Sequence, residues 1–298
     1  MKQSQTAKPT TPLQRGITRI ANGQPTQDGA GVDLVRYLPF PASVQLDPFL
    51  LLDVIKSDRP EQYIAGFPPH PHRGFETVTY LLAGRVRHRD SAGHAGVLKS
   101  GGVQWMTAGR GIEHSEIPEQ ESGLLFGFQL WINLPAAQKM QAPHYQEFEP
   151  EQIPVEQRSA GQSIRVIAGT TSEGTTGPVT GISAAPLFFD VQLAKDEHYQ
   201  EQINTGYTAF LYIIEGEISI QGEFEHRTLM GNQLAVLGEG ETLALKSLTS
   251  TRFLVIAGEP INEPIARHGP FVMNTQEQLV QAYKDYESGA FGHVEEAR

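Results

Sequence analysis

The feature that most constrains the fold is a repeat that relates the two halves of the chain. Residues 81–86 (LLAGRV) resemble residues 213–218 (IIEGEI), and glycines seven residues apart bound both residues 102–109 and residues 231–238. With 298 residues, the chain is long enough for two domains of ordinary size. The repeat therefore predicts two copies of one folding unit.

Each half consists of short runs of strand-forming residues separated by glycines. Seven such runs lie between residues 164 and 257, and those of the first half are residues 77–82, 85–89, 103–107 and 124–134. Short strands at this regular spacing are typical of β-sandwiches and β-barrels. Residues 135–158 are richer in Gln, Glu and Pro, which favours a linker. We predict an all-β chain with domains at residues 1–145 and 146–298.

The end of the chain departs from this pattern and predicts a helix. Asn274, followed three residues later by Glu277, resembles a helix-capping sequence. Apolar side chains then recur at helical spacing, at Leu279, Val280, Tyr283 and Tyr286. We expect one amphipathic helix over residues 275–288, packed against a barrel.

Histidines are concentrated in the first half of the chain, where five of the ten lie between positions 70 and 114. Side chains two residues apart on a strand share a face, so His70 and His72 can direct ring nitrogens at one ion. The same spacing places Glu76 on that face, and it pairs His114 with Glu116. These five side chains are candidate ligands for a metal site, which usually takes three or four ligands from the protein.

The second half of the chain lacks these ligands. If Gly84 is aligned with Gly216, and Gly102 with Gly231, polar amides and leucines replace the candidate ligands. The residues at the positions of His70, His72, His114 and Glu116 are then Gln202, Asn204, Leu243 and Leu245. We therefore expect a metal site in the first unit and none in the second.

Composition excludes several classes of protein and site. The chain has no cysteine, so thiolate catalysis is excluded and a metal must be bound by nitrogen and oxygen. Acidic residues outnumber basic ones by 34 to 23, and the formal charge of −11 disfavours direct binding to nucleic acid. Residues 1–16 lack the apolar core of a secretory signal, and no run has the length of a membrane span. We expect a cytoplasmic protein with no membrane partner.

Two motifs resemble those of the cupin superfamily. They are His-x-His-x-x-x-Glu over residues 70–76, followed by Gly84, and Gly-x-Gly-x-x-His over residues 109–114. More narrowly, residues 69–77 (PHPHRGFET) and 104–116 (QWMTAGRGIEHSE) are similar to the pirin family of bicupins. This resemblance implies two tandem cupin barrels of the jelly-roll type, followed by a C-terminal α-helix.

The resemblance also implies the identity of the metal site. Pirins bind iron through three histidines and one glutamate, which correspond here to His70, His72, His114 and Glu116. Glu76, a ligand in many other cupins, is not expected to be one here. The cofactor implied is Fe(II), although the same ligands would accept another divalent metal.

Two functions are compatible with the resemblance. Pirins are similar to quercetin 2,3-dioxygenases, which implies an Fe(II)-dependent enzyme that opens a flavonol such as quercetin with O₂. Glu116 would then accept the proton of the 3-hydroxyl group. Val78, Tyr80, Phe126 and Phe128 are candidates for the pocket wall, and the alternative for these four side chains is that they fill the barrel interior. The alternative is a non-enzymatic iron-binding regulator that acts through a protein partner.

Overall fold

The computed structural model describes residues 13–40, 45–221 and 226–294, so the polar segment at residues 1–12 lies outside the described part. Two β-barrels are formed in this part, and its single α-helix lies near the C-terminal end. The prediction of an all-β fold with two barrels and a C-terminal helix is confirmed. No helix among the described residues is long and apolar enough to cross a membrane.

The described residues of the first half of the chain form twelve strands. They are β1 (Ile17–Ala21), β2 (Gln24–Asp28), β3 (Val32–Leu38), β4 (Phe49–Ser57), β5 (Phe67–His72), β6 (Phe75–Ala83), β7 (Arg85–Asp90), β8 (Ala95–Lys99), β9 (Val103–Thr107), β10 (Ile112–Pro118), β11 (Leu125–Asn133) and β12 (His144–Phe148). A 3-10 helix, Pro60–Gln62, precedes β5. A seven-stranded sheet with the order β12-β9-β6-β11-β4-β3-β2 and a four-stranded sheet with the order β5-β10-β7-β8 build the first barrel.

The second half repeats this architecture. After a 3-10 helix, Pro150–Gln152, the strands are β13 (Val155–Ser159), β14 (Gln162–Ala168), β15 (Leu187–Leu193), β16 (His198–Gln202), β17 (Thr208–Glu215), β18 (Glu217–Gln221), β19 (His226–Met230), β20 (Leu234–Leu237), β21 (Thr242–Ser247), β22 (Thr251–Gly258), β23 (Ala266–His268) and β24 (Phe271–Met273). The two sheets of the second barrel have the orders β1-β20-β17-β22-β15-β14-β13 and β16-β21-β18-β19, and β23 and β24 pair as a separate two-stranded sheet. Strand β1 thus belongs to a sheet of the second barrel, although it precedes the first barrel in the sequence.

The two seven-stranded sheets pack against each other through an aromatic core. Tyr37 and Phe128 of the first barrel lie edge-to-face on Tyr212 of the second, with ring centroids 5.0 and 5.3 Å away. The buried hydroxyl of Tyr80 donates a hydrogen bond of 2.6 Å to Asp190 Oδ2 across the same boundary. This core covers the face of the first barrel's seven-stranded sheet that is turned toward the second barrel. A site inside the first barrel must therefore be built from side chains on the opposite face of that sheet.

The chain after the second barrel returns to the first barrel. The helix α1 (Gln276–Glu287) begins at the cap Thr275, whose hydroxyl accepts a hydrogen bond from the Gln278 N–H, so the cap lies one residue later than predicted. The predicted extent of the helix, residues 275–288, agrees with the structure to one residue at each end. Asp285 of the helix pairs with Arg73 at 2.7 Å, which attaches the helix next to His72.

A buried lysine locks this returning segment onto the first barrel. Gly74 has φ +88°, and a Cβ at this position would lie 2.0 Å from the Val272 carbonyl oxygen, so only glycine permits the approach. The ammonium of Lys139 donates hydrogen bonds to the Gly74 and Val272 carbonyl oxygens, at 2.7 and 3.0 Å, and to Asn133 Oδ1 at 2.6 Å. Each of the three N–H groups of the ammonium thus has an acceptor. Burial nevertheless lowers the pKa of Lys139 to about 8.

Substitution of Lys139 by methionine should destabilise the protein in a pH-dependent manner. At pH 7 the loss of three hydrogen bonds at buried acceptors should lower the free energy of unfolding by about 2–4 kcal/mol. Between pH 8 and pH 10 the unfolded wild-type chain still holds the lysine proton that the folded chain has released, so wild-type stability rises relative to the variant. The gap should widen by about 2 kcal/mol over that range. Urea denaturation of both proteins at pH 7, 8 and 10 measures it, and a gap that stays constant would show that burial does not lower this pKa.

Candidate metal centre

Two adjacent strands bring the three predicted histidine ligands together. Strand β5 lies at the edge of the four-stranded sheet, a position that tolerates its prolines. The register of β5 and β10 places His114 directly opposite His70. His72 lies two residues from His70 on the same face of β5, and Glu116 lies two residues from His114 on the same face of β10, with an irregularity in the register between His114 and Glu116.

The three imidazoles form a compact group. The centroid of the His70 ring lies 4.7 Å from that of His72 and 4.4 Å from that of His114, and the remaining pair is 5.0 Å apart. One ring nitrogen from each lies within 4.8 Å of the others, a separation that a single metal ion can bridge. Within residues 13–40, 45–221 and 226–294, this is the only group of three histidine or carboxylate side chains with such an arrangement.

The ring nitrogens are in the state that a metal requires. His70 Nδ1 lies 2.8 Å from the Pro68 carbonyl oxygen, which favours the tautomer that donates from Nδ1 and leaves Nε2 free. His72 and His114 are buried, and His72 Nδ1 and both nitrogens of His114 have no hydrogen-bond partner among the described residues. Burial first, and the neighbouring His70 second, hold the pKa of both rings well below the usual value. Neutral imidazoles with unshared lone pairs fit a divalent metal.

The carboxylate of Glu116 lies on the wall of the cavity that contains His70 and His72. It is 5% exposed, and its two oxygens accept hydrogen bonds from Thr79 Oγ1 at 2.9 Å and from Gln129 Nε2 at 3.0 Å. Both donors are neutral groups, so neither brings a positive charge that would compete with a metal ion for the carboxylate.

Glu76 has a different environment. Its oxygens accept hydrogen bonds from Thr107 Oγ1 at 2.7 Å and from the Trp105 indole N–H at 3.1 Å, and burial raises the pKa of this carboxyl. Neither Glu76 nor Glu116 belongs to the three-histidine group, but only Glu116 lines the cavity beside it. Glu76 therefore connects β6 to β9, and its side chain is engaged away from the imidazoles.

A cavity of about 570 Å³ opens beside the histidines. None of the predicted pocket residues lines it; all four belong to the core between the barrels: Val78, Tyr80, Phe126 and Phe128. The alternative, that these residues fill the core, is therefore correct: neighbouring residues of a strand face opposite sides, and these four face the second barrel and not the cavity. The inward-facing residues of β11 are Gln129 and Trp131, which do line the cavity.

Residues far away in the sequence complete the cavity. Phe67 comes from the first barrel, whereas Arg267, Gly269 and Pro270 come from the segment that returns after the second barrel. Trp131 could have been found from the alternation of β11. No pattern in the sequence predicted the contribution of Arg267, because it depends on how the chain returns to the first barrel.

The second barrel contains no comparable group among the described residues. Strand pairing relates the two barrels, because Ser247 lies opposite Ile218 in the second barrel as Pro118 lies opposite Val86 in the first. Counting back from Ser247 and Pro118 places leucines at the positions of His114 and Glu116, as predicted. These are Leu243 and Leu245, both buried. Leu243 pairs with Glu201 as His114 pairs with His70, so the residue in place of His70 is Glu201 and the alignment that gave Gln202 was wrong by one residue.

An arginine occupies the corresponding end of the second barrel. Arg158 donates from Nη2 to Glu201 Oε2 at 2.7 Å and from Nε to Glu156 Oε1 at 2.5 Å. All three side chains are buried, and Glu201 is fully inaccessible. A guanidinium paired with two carboxylates thus lies in the second barrel where the first barrel has its group of imidazoles.

Two β-barrels of this topology with a three-histidine group in the first define a bicupin. Family comparisons agree: residues 31–132 match the pirin family, and residues 188–292 match the pirin C-terminal cupin domain. The chain belongs to the pirin family.

Individual relatives cover nearly the whole chain. A pirin-like protein of Caulobacter vibrioides is 48% identical over 277 residues, which are 93% of this chain and 99% of that protein. A protein of Pseudomonas aeruginosa, provisionally named quercetin 2,3-dioxygenase, is 45% identical over 92% of this chain and 97% of its own length. The crystal structure of quercetin 2,3-dioxygenase from Acinetobacter baumannii superposes with a TM-score of 0.86 at 34% identity, over 95% of this chain and 100% of that chain.

Proposed function

We propose that this protein binds Fe(II) between His70, His72, His114 and Glu116 and uses O₂ to open a flavonol such as quercetin. One observation carries the proposal: a group of three imidazoles, two of them buried, opens into a cavity of about 570 Å³, within the range of small-molecule sites. The similarity to quercetin 2,3-dioxygenase from Acinetobacter baumannii supports the choice of substrate. Bound Fe(II) supplies Lewis acidity and one-electron redox chemistry that no side chain of this chain provides.

The side chains of the cavity bind and orient the substrate. The aromatic rings of Trp131 and Phe67 line the cavity and offer apolar surface to a flavonol. Pro270 and Gly269 close the side formed by the returning segment. A substrate held there displaces water from the imidazoles and from the carboxylate.

Glu116 moves the proton. Its carboxylate accepts the proton of the flavonol 3-hydroxyl group, which leaves the ring electron-rich toward O₂. Thr79 and Gln129 each donate a hydrogen bond to one carboxylate oxygen and so fix its orientation before the substrate arrives. General base catalysis of this kind is typically worth 10²- to 10⁴-fold in rate, so the identity of this side chain should matter.

Oxygen uptake by the iron-loaded protein with quercetin tests the proposal. We expect turnover by the wild type, and a decrease of roughly 10²-fold or more in the rate per bound iron for Glu116→Gln, because the amide cannot accept the proton. Glu121→Gln, at an exposed glutamate of the same barrel, is the matched control and should match the wild type.

Stoichiometrically bound iron without oxygen uptake on quercetin or on a panel of other polyphenols would contradict the proposal. That outcome would favour the alternative function, an iron-binding regulator that acts through a protein partner. Unchanged turnover per iron in Glu116→Gln would leave the reaction in place but remove Glu116 as the base.

A further inference from the structure

One cation on the wall of the metal cavity has no acidic partner. Arg267 lies on β23, and its guanidinium carbon lies 4.8 Å from the centroid of the Trp131 ring. Its Nη1 donates one hydrogen bond of 3.1 Å, to the Leu50 carbonyl oxygen. Among the described residues no carboxylate forms a salt bridge with it, so most of its donors remain available to a ligand.

Arg36, on the same cavity wall, has its charge neutralised. It donates from Nε and Nη2 to the two oxygens of Asp53 at 2.8 and 2.6 Å, and from Nη2 to Asp28 at 2.7 Å. The neighbouring carboxylates Asp53 and Asp28 are thus engaged by Arg36, and neither forms a salt bridge with Arg267. An anionic ligand beside Arg267 would supply the partner that the cation lacks.

The position of Arg267 relates it to the metal centre. Trp131 contacts both, because its ring is also in edge-to-face contact with His72 at 5.2 Å between centroids. Phe75, which is fully buried, packs on the same indole at 4.4 Å and fixes it. The imidazoles of His70 and His72 and the guanidinium line one cavity, so a ligand that fills it can reach both.

We propose that Arg267 makes this cavity selective for aromatic substrates that carry an anionic oxygen, a carboxylate or an ionised phenol, at the end away from the metal. The net charge of −11 repels such anions elsewhere on the protein, so a local cation is needed to hold them. The guanidinium binds the anion by charge-assisted hydrogen bonds while the ring of the substrate lies along Trp131. The inference rests on the proposed function only in placing the substrate in this cavity.

Anaerobic binding to the metal-loaded protein tests this selectivity without turnover. The chain has two tryptophans, and Trp131 lines the cavity, so quenching of its fluorescence reports ligand binding. The probes are a carboxylated flavonol and its methyl ester. We expect the wild type to bind the acid about tenfold more tightly than the ester, as for a charge-assisted hydrogen bond, and we expect added salt to reduce the preference.

The variants separate charge from packing. Arg267→Met should bind acid and ester equally, Arg267→Lys should keep part of the preference, and Arg59→Met, at an exposed arginine of the first barrel, should behave as the wild type. Equal binding of both probes by the wild type, or a preference that survives in Arg267→Met, would overturn the inference. Charge-selective binding without oxygen uptake would refute only the proposed reaction, whereas uptake with no charge preference would refute only the role of Arg267.

Discussion

Replacement of His114 by leucine is expected to abolish metal binding while leaving the barrel folded. The His114 ring contacts both other imidazoles of the group. Loss of a residue that only supports a ligand weakens metal affinity by up to about 100-fold, so loss of the ligand His114 itself should weaken it by more than that. The second barrel already carries Leu243 at the corresponding position, fully buried, so leucine suits the interior of this barrel type. Metal analysis after dialysis measures the loss.

The stability of the metal-free variant separates binding from folding. In the metal-free wild type the two ring nitrogens of His114 are buried without partners, a cost of about 1–3 kcal/mol. The metal-free His114→Leu protein should therefore unfold at the same or a higher urea concentration than the metal-free wild type. His198→Leu, at an exposed histidine of the second barrel, should keep its metal. Equal metal loss in both variants would contradict the location of the site.

Substitution of Arg158 by methionine is expected to be among the most destabilising single changes. It would leave Glu201, which is fully inaccessible, and Glu156 as buried carboxylates without their cation. Breaking a buried ion pair in this way typically costs about 3–5 kcal/mol. Urea denaturation should show this loss, whereas the metal content per folded molecule should not change.

Two further variants make this result specific to the buried network. Arg85→Met removes an exposed ion pair with Glu119 and should cost less than about 1 kcal/mol. Arg158→Met combined with Glu201→Met should recover part of the stability, because the stranded carboxylate is also removed. A loss of under 1 kcal/mol for Arg158→Met alone would mean that water reaches these carboxylates in the folded protein.

The parts of the site that could be predicted from the sequence are those encoded locally. His70 and His72 share a face because a strand alternates its side chains, and the same rule pairs His114 with Glu116. The edge position of β5 was not needed for that inference. The terminal helix was equally predictable, since its cap and apolar spacing lie within one short segment.

The features that could not be predicted depend on register and on distant parts of the chain. A one-residue difference in register separates Gln202, which is exposed, from Glu201, which takes the place of His70. The same ambiguity left open which residues of β6 and β11 face the cavity. Strand β1 belongs to a sheet of the second barrel, whereas Arg267 follows the second barrel in the sequence and lines the cavity of the first. No local pattern in the sequence predicts either arrangement.

Anomalous diffraction from crystals of the iron-loaded protein, recorded at the iron absorption edge, tests the location of the metal most directly. We expect one peak per chain, within coordination distance of His70, His72, His114 and Glu116, and no peak inside the second barrel. A peak beside Glu201, or iron held by the three histidines with the Glu116 carboxylate beyond coordination distance, would contradict the proposed centre.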